Sequence, residues 1–288
     1  MLSIALIVIA VLFLAPPLLF LVCLKVAPRP LLQWVDNRAY KALDVDAYNR
    51  NSPYNAPGFK PVHTLCSNAV LQVSGKIPDD LEGVYLRNGT NLQFEQTNGR
   101  YHMFNGAGML HQVQIKAGKA SYSNTYVKTP RYQIEDAMGQ DQYLHFGDLA
   151  GGGKAGLVRM AVAALKQRSG VLPALEVLES GSSTTAVQYH HSKLYCLQET
   201  GYPFALNTRL ENGYLILDGE GQWDNFDGKL DSPFTAHPKI DPVTGDWYTF
   251  STQFSSGRLY HSVVRQGELA QHSVIDQQKP ALAFLHDY

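Results

Sequence analysis

The chain has 288 residues, with 24 Lys and Arg against 25 Asp and Glu and a formal net charge of −1 at neutral pH. So even a balance offers no basic stripe for a phosphate backbone, which excludes nucleic acid as a partner. Only 17 % of residues are charged, while 16 Tyr and 24 Gly are present; this composition favours strands and turns, and an apolar ligand over a charged one.

The first two dozen residues, MLSIALIVIAVLFLAPPLLFLVCL, carry no charged side chain. A helix of about 20 apolar residues crosses a bilayer core, so residues 1–25 are expected to form a transmembrane anchor. A cleaved signal peptide is the competing reading, but no basic n-region and no A-x-A site accompany the run. Lys25, Arg29, Arg38 and Lys41 follow it, and by the positive-inside rule the expected location is a single-pass membrane protein with its soluble body on the cytoplasmic side. Residues 26–75, rich in Pro and Asn, read as a linker and N-terminal arm.

From residue 81 short candidate strands appear: GVYLRNGT, GRYHMF, MLHQVQI and ASYSNTYV, separated by NGAG and KAGK. The rhythm returns in TTAVQYH, KLYCLQE, FTAHPKI, DWYTFSTQF, RLYHSVV and LAQHSVI, divided by HS, PVTG, SSG and RQG. Such an antiparallel meander belongs to an all-β propeller or sandwich. Residues 151–172 interrupt it with a glycine-opened amphipathic helix. Leu157, Met160, Ala161, Ala164 and Leu165 fall on one side of it, with Arg159, Lys166 and Gln167 towards the other. Two uses suit such a helix: a lid on one end of the β body, or contact with a lipid surface through Leu157, Arg159, Leu165 and Lys166.

Cys23, Cys66 and Cys196 are far apart and form no C-x-x-C pair, so a disulfide framework or a zinc ribbon is not expected. P-loop, H-E-x-x-H and G-x-S-x-G patterns are absent, which removes the usual support for nucleotide, zinc-protease and α/β-hydrolase chemistry. Of ten histidines, one stands in a special frame. His237 precedes Pro238 and the turn DPVTG; the proline restricts the histidine backbone to extended conformations, so its ring projects from a fixed strand end, as a metal ligand must. The other histidines up to residue 272 read as structural.

FTAHPKIDPVTG, followed by LHDY, with YLRNGTN, FNGAGMLH, NTYVKTPRY and YHHSKLYCLQE upstream, resembles the carotenoid cleavage dioxygenases, nearest the plant-type 9,10-cleaving branch. The resemblance runs from about residue 76 to 288. It implies a seven-bladed β-propeller, here incomplete, with iron(II) on its axis held by four histidines. His237 is then the first metal ligand and His286 the second, the other two lying outside this sequence, and Glu199 is the carboxylate that orients an iron-bound imidazole. No catalytic residue beyond the metal ligands is implied. The partners implied are a carotenoid or apocarotenoid, dioxygen and a lipid bilayer, and the reaction is oxidative scission of a conjugated double bond to two carbonyl products. The chain as given is expected to be an inactive fragment truncated at its C-terminus. The alternatives are a dioxygenase cleaving stilbene-like phenylpropenes and a non-catalytic fragment that binds an apolar ligand. Thr90 and Leu92 replace family prolines, Asn105 and Ala107 replace aspartates, and Thr184 replaces an asparagine; all are turn positions, where altered turns are expected rather than altered chemistry.

Overall fold

The computed structural model describes residues 25, 27–43, 49–94, 101–149, 153–253 and 256–277. In chain order the first elements are α1 (Pro28–Lys41), β1 (Ala69–Val70), β2 (Gly83–Asn91), β3 (Ala107–Lys116), β4 (Lys119–Tyr126), α2 (Pro130–Met138), α3 (Phe146–Leu149) and α4 (Gly153–Arg168). The rest are strands: β5 (Ala186–His190), β6 (Lys193–Leu197), β7 (Phe204–Glu211), β8 (Tyr214–Trp223), β9 (Lys239–Ile240), β10 (Trp247–Gln253), β11 (Arg258–Arg265) and β12 (Glu268–Gln277). Two compact units result: one joins residues 1–57, 96–102 and 142–174, the other residues 58–95, 103–141 and 175–288.

The larger unit is β-dominated, with three antiparallel four-stranded sheets ordered β1-β4-β3-β2, β5-β6-β7-β8 and β12-β11-β10-β9. Four of the hairpins close through two residues that both have positive φ: Ala117 and Gly118, His191 and Ser192, Asn212 and Gly213, Gln266 and Gly267. Turns of this hand match the right-handed twist of the flanking strands. The second sheet is central to the packing. Along β6, Tyr195 and Leu197 enter one apolar cluster with Phe234, Ala236, Trp247 and Val264. Leu194 and Cys196 point the opposite way, into a cluster with Leu110, Val127, Phe204 and Leu206. Period-two alternation therefore buries both faces of β6, which explains why four successive residues there are apolar or aromatic.

The sequence reading missed β7 and β8, and it counted GRYHMF as a strand although residues 101–104 are coil and turn. Only Lys239 and Ile240 of FTAHPKI pair in a ladder. Gly151, Gly153 and Gly156 have dinucleotide-loop spacing, but α4 follows the helix α3 rather than a strand, so no βαβ unit supports that use.

In the smaller unit α4 lies against α1 in the reverse of the expected sense. Arg159 is buried: Nε reaches Asp36 at 3.0 Å, Nη1 reaches Asp148 at 2.6 Å, and the guanidinium lies over Tyr40. Lys166 joins Asp36 at 2.9 Å. Burial works against the Arg159 charge, but Asp148 and Asp36 outweigh it and the guanidinium pKa is raised. The expectation that Arg159 and Lys166 meet lipid headgroups is thus corrected, because both are held inward by carboxylates. The apolar side faces out, with Leu157 66 % exposed and Met160 48 %, while Leu165 is half-buried.

The expected localisation is also corrected. Among the described residues no helix is long and apolar enough to cross a membrane, and residues 1–24, on which the anchor rested, lie outside the described residues. The single-pass placement with a cytoplasmic body therefore loses its support.

Candidate metal centre

His237 sits at the end of a segment tied down along its whole length. Leu230, Phe234 and Ala236 are fully buried in the cluster around Trp247. Asp231 Oδ1 lies 2.8 Å from His272 Nε2, and His272 Nδ1 lies 2.8 Å from the Ser262 hydroxyl, so an Asp–His–Ser relay joins the segment to β11 and β12. Ser232 Oγ donates to the Pro233 carbonyl and lies 3.2 Å from Ser251 Oγ. The Phe234 N–H donates to the Gly201 carbonyl at 2.9 Å, and the His237 N–H to Thr235 Oγ1 at 3.1 Å. Pro238 then disfavours a helical backbone at His237, and β9 pairs with β10 through Ile240 and Trp247.

The turn after β9 is equally closed. Asp241 Oδ1 accepts the N–H groups of Val243 and Thr244 at 2.7 and 2.9 Å. Those two bonds hold its carboxyl below the usual carboxylate range. The local sequence thus does what its turn chemistry dictates: proline before the strand, Asx turn after it.

Glu199 follows the end of β6. Its Oε1 accepts the Ala236 N–H at 3.0 Å and lies 3.9 Å from His237 Nε2, with the two side chains 15 % and 35 % exposed. The distance is too long for a hydrogen bond. Glu199 thus holds the backbone of the residue before His237. Structure brings these two sequence-identified residues together across 38 positions of chain. His286 lies outside the described residues, and among the described residues no three metal-binding side chains converge.

Several other histidines have packing roles, as the sequence reading held. His190 accepts the Gly267 N–H at 3.3 Å and lies on Trp247, His111 pairs with the Tyr122 hydroxyl at 2.7 Å, and His272 stacks on Tyr260. What sequence reasoning missed is the support of the site: Asp231, His272 and Ser262, and Gln198 beside Glu199. No local motif marks them, since each partner is remote in sequence or across a ladder.

A family model described as retinal pigment epithelial membrane protein matches residues 59–288. The chain belongs to this family. Carotenoid 9,10(9',10')-cleavage dioxygenase 1 of Arabidopsis thaliana is 36 % identical over 219 residues, which are 76 % of this chain and 39 % of that relative. Among solved structures, Pseudomonas brassicacearum lignostilbene dioxygenase shares the fold with a TM-score of 0.59 at 23 % identity, covering 78 % of this chain and 42 % of that one. Cobalt-substituted Synechocystis apocarotenoid oxygenase gives a TM-score of 0.55 at 23 % identity, with 80 % and 45 % covered. The chain thus spans about two fifths of the length of these proteins.

The residues present offer one donor of a metal site on chemical grounds. A half-exposed imidazole stands at a strand entrance, its backbone is fixed on both sides, and a carboxylate lies beside it. A soft-to-intermediate nitrogen donor of this kind suits iron(II).

Proposed function

We propose that this chain serves the oxidative scission of a conjugated double bond in a carotenoid or apocarotenoid, with dioxygen as co-substrate, iron(II) as cofactor and two carbonyl products. The observation that carries the reading is Glu199 gripping the Ala236 N–H directly before His237. In this reading the three sheets are blades of a seven-bladed propeller body over residues 76–288, and His237 and His286 are two of the imidazoles on its axis.

Iron(II), when bound, supplies the activation of dioxygen beside the double bond. The protein's own part is positional. His237 presents a neutral ring nitrogen from a backbone that Pro238, β9 and Thr235 leave little freedom. Glu199 holds that backbone from the N-terminal side. A polyene has no charge to bind, so burial and shape rather than acid–base groups align it. Its source is a lipid phase, and we place contact with a lipid surface at the outward face of α4, at Leu157 with Leu165 at its margin; Arg159 and Lys166 take no part.

Anaerobic loading of the full chain with iron(II), followed by metal analysis and incubation with an apocarotenoid or a stilbene-like phenylpropene in air, tests the reading. Joined to the C-terminal half of a family relative, the chain is expected to retain iron that is lost in His237→Ala and to form aldehyde from the apocarotenoid; by itself, with two of the four imidazoles, it is expected to retain little iron and form no product. Unchanged iron in His237→Ala overturns it. Iron-independent binding of the apocarotenoid without product identifies a binding protein instead.

A further inference from the structure

We infer that Gln198 is a positioning residue that locks the Glu199 turn to the entrance of β5, so that the grip of Glu199 on the Ala236 N–H is set by a side chain pointing the other way. The inference deepens the reading of His237 as a metal ligand and rests on it for its functional meaning.

Gln198 is buried, 6 % exposed, and its Oε1 accepts two backbone N–H groups, those of Ser182 and Ser183, both at 2.9 Å. Two converging donors require the oxygen there and fix the orientation of the amide. Its Nε2 occupies space that any side chain at either of two glycines would take. A Cβ on Gly181 would stand 1.3 Å from that nitrogen, and one on Gly201 would stand 2.7 Å from it and 2.6 Å from the Leu178 carbonyl oxygen. Neither glycine has a left-handed backbone, so crowding rather than conformational freedom excludes a side chain: by the Gln198 amide alone at Gly181, and by that amide and the Leu178 carbonyl together at Gly201. The Nε2 itself has no hydrogen-bond partner among the described residues. A buried unpaired amide is unfavourable, so the interaction that justifies the residue is the one its oxygen makes.

The segment it holds is constrained from every side. Ser183 is fully buried with φ of 48°, a left-handed conformation that persists only where surroundings impose it. Asn88 Nδ2 donates to the Ser183 and Ala186 carbonyls at 2.7 and 3.1 Å, and the Gly108 N–H donates to the Ser182 carbonyl at 2.9 Å. On the far side of Glu199, the Gly201 carbonyl accepts the Phe234 N–H and the Tyr202 N–H donates to Leu178. Glu199 is therefore a carboxylate on a turn clamped at both ends: by Gln198 to β5, and by Gly201 to the segment that carries His237.

Amide hydrogen exchange of the full chain without metal tests the coupling. In Gln198→Met, which keeps the length and loses the acceptor, the Ser182, Ser183 and Ala236 amides should exchange about tenfold faster while Val263 in β11 is unchanged. The tautomer ratio of the His237 ring should shift in the same variant, a change that loss of a distant packing contact does not produce. Gln198→Glu, which restores an acceptor oxygen, should return Ala236 towards the parent rate. Faster exchange at Ser182 and Ser183 with Ala236 unmoved would overturn the inference. Should Gln198→Met lose protection throughout, the parent chain decides: across a shallow guanidinium series the three amides should open together, and separate openings contradict the coupling. Both measurements are made on metal-free protein. A failure of iron to bind at His237 therefore sinks the functional reading and leaves this coupling standing, and separate openings do the reverse.

Discussion

β6 and α4 are both buried against neighbours, yet by opposite means. β6 offers apolar side chains to both of its faces, Leu194 and Cys196 to one cluster and Tyr195 and Leu197 to another. The burial is non-directional and tolerates modest reshaping. α4 turns Arg159 and Val162 inward and leaves Leu157, Val158 and Met160 in the open. Its attachment depends on two aspartates, Asp36 and Asp148, meeting two cations at hydrogen-bond distance. A strand held by apolar area loses stability in proportion to the volume removed. A helix held by buried ion pairs loses it all at once when one charge is left alone.

The largest effect is expected where apolar burial is deepest. Trp247 is fully buried and touches His190, Tyr195 and Phe234, so Trp247→Ala should lower the unfolding free energy of the sheet unit by about 3–5 kcal/mol in a denaturant titration. Asp36→Ala strands Lys166 and leaves Arg159 to Asp148 alone, and should destabilise the α1–α4 pair by about 3 kcal/mol, read as loss of exchange protection over residues 153–168. If Asp36→Leu proves as stable as the parent, α4 is held by shape after all and the contrast with β6 disappears.

A smaller effect separates the regions by pH. Burial lowers the His190 pKa from 6.5, His191 lowers it further, and Asp246 and the Gly245 backbone oppose the shift. A base whose folded pKa is depressed binds its proton more readily when unfolded. Its contribution is therefore fully present above pH 6.5 and is lost as pH falls through the lower folded value. Protonation would also take away the acceptor for the Gly267 N–H. Stability of the sheet unit should decline below pH 6.5, and His190→Gln should flatten part of that decline in melting curves. A slope unchanged by the substitution would assign it to other groups, such as His111, whose pKa burial also lowers. Least of all, Leu157→Gln, at a site 66 % exposed, should change stability by less than about 0.5 kcal/mol.

Legibility in the sequence followed the range of the interactions. The frame around His237 was readable because its determinants are adjacent: Pro238, the strand and the Asp241 turn. The turns KAGK, HS and RQG were readable between their strands, whereas the Asn212–Gly213 turn was passed over with the strands on either side of it. β7 and β8 were not, since FALNTRLE and YLILDGEGQW alternate only in part and Gly219 and Gly221 break the strand pattern. Those glycines answer to non-local packing: a Cβ at Gly219 would lie 1.9 Å from the Tyr126 carbonyl oxygen, in a strand of the first sheet. The facing of α4 failed for a similar reason. Charges on a helix ordinarily point to water, and two carboxylates, Asp148 on α3 and Asp36, 123 positions away, reverse that for Arg159. Glu199 was identified by resemblance alone, because its partner is a backbone N–H with no sequence signature.

The central claim is that His237 is a metal-binding imidazole whose orientation Glu199 sets. Substoichiometric cobalt(II) added to the full chain, with histidine ring resonances followed by NMR, tests this most directly. Selective broadening of the His237 ring ahead of the exposed His63, with the selectivity reduced in Glu199→Gln, is the result the account predicts. Equal broadening of both histidines, or selectivity untouched by Glu199→Gln, would contradict it.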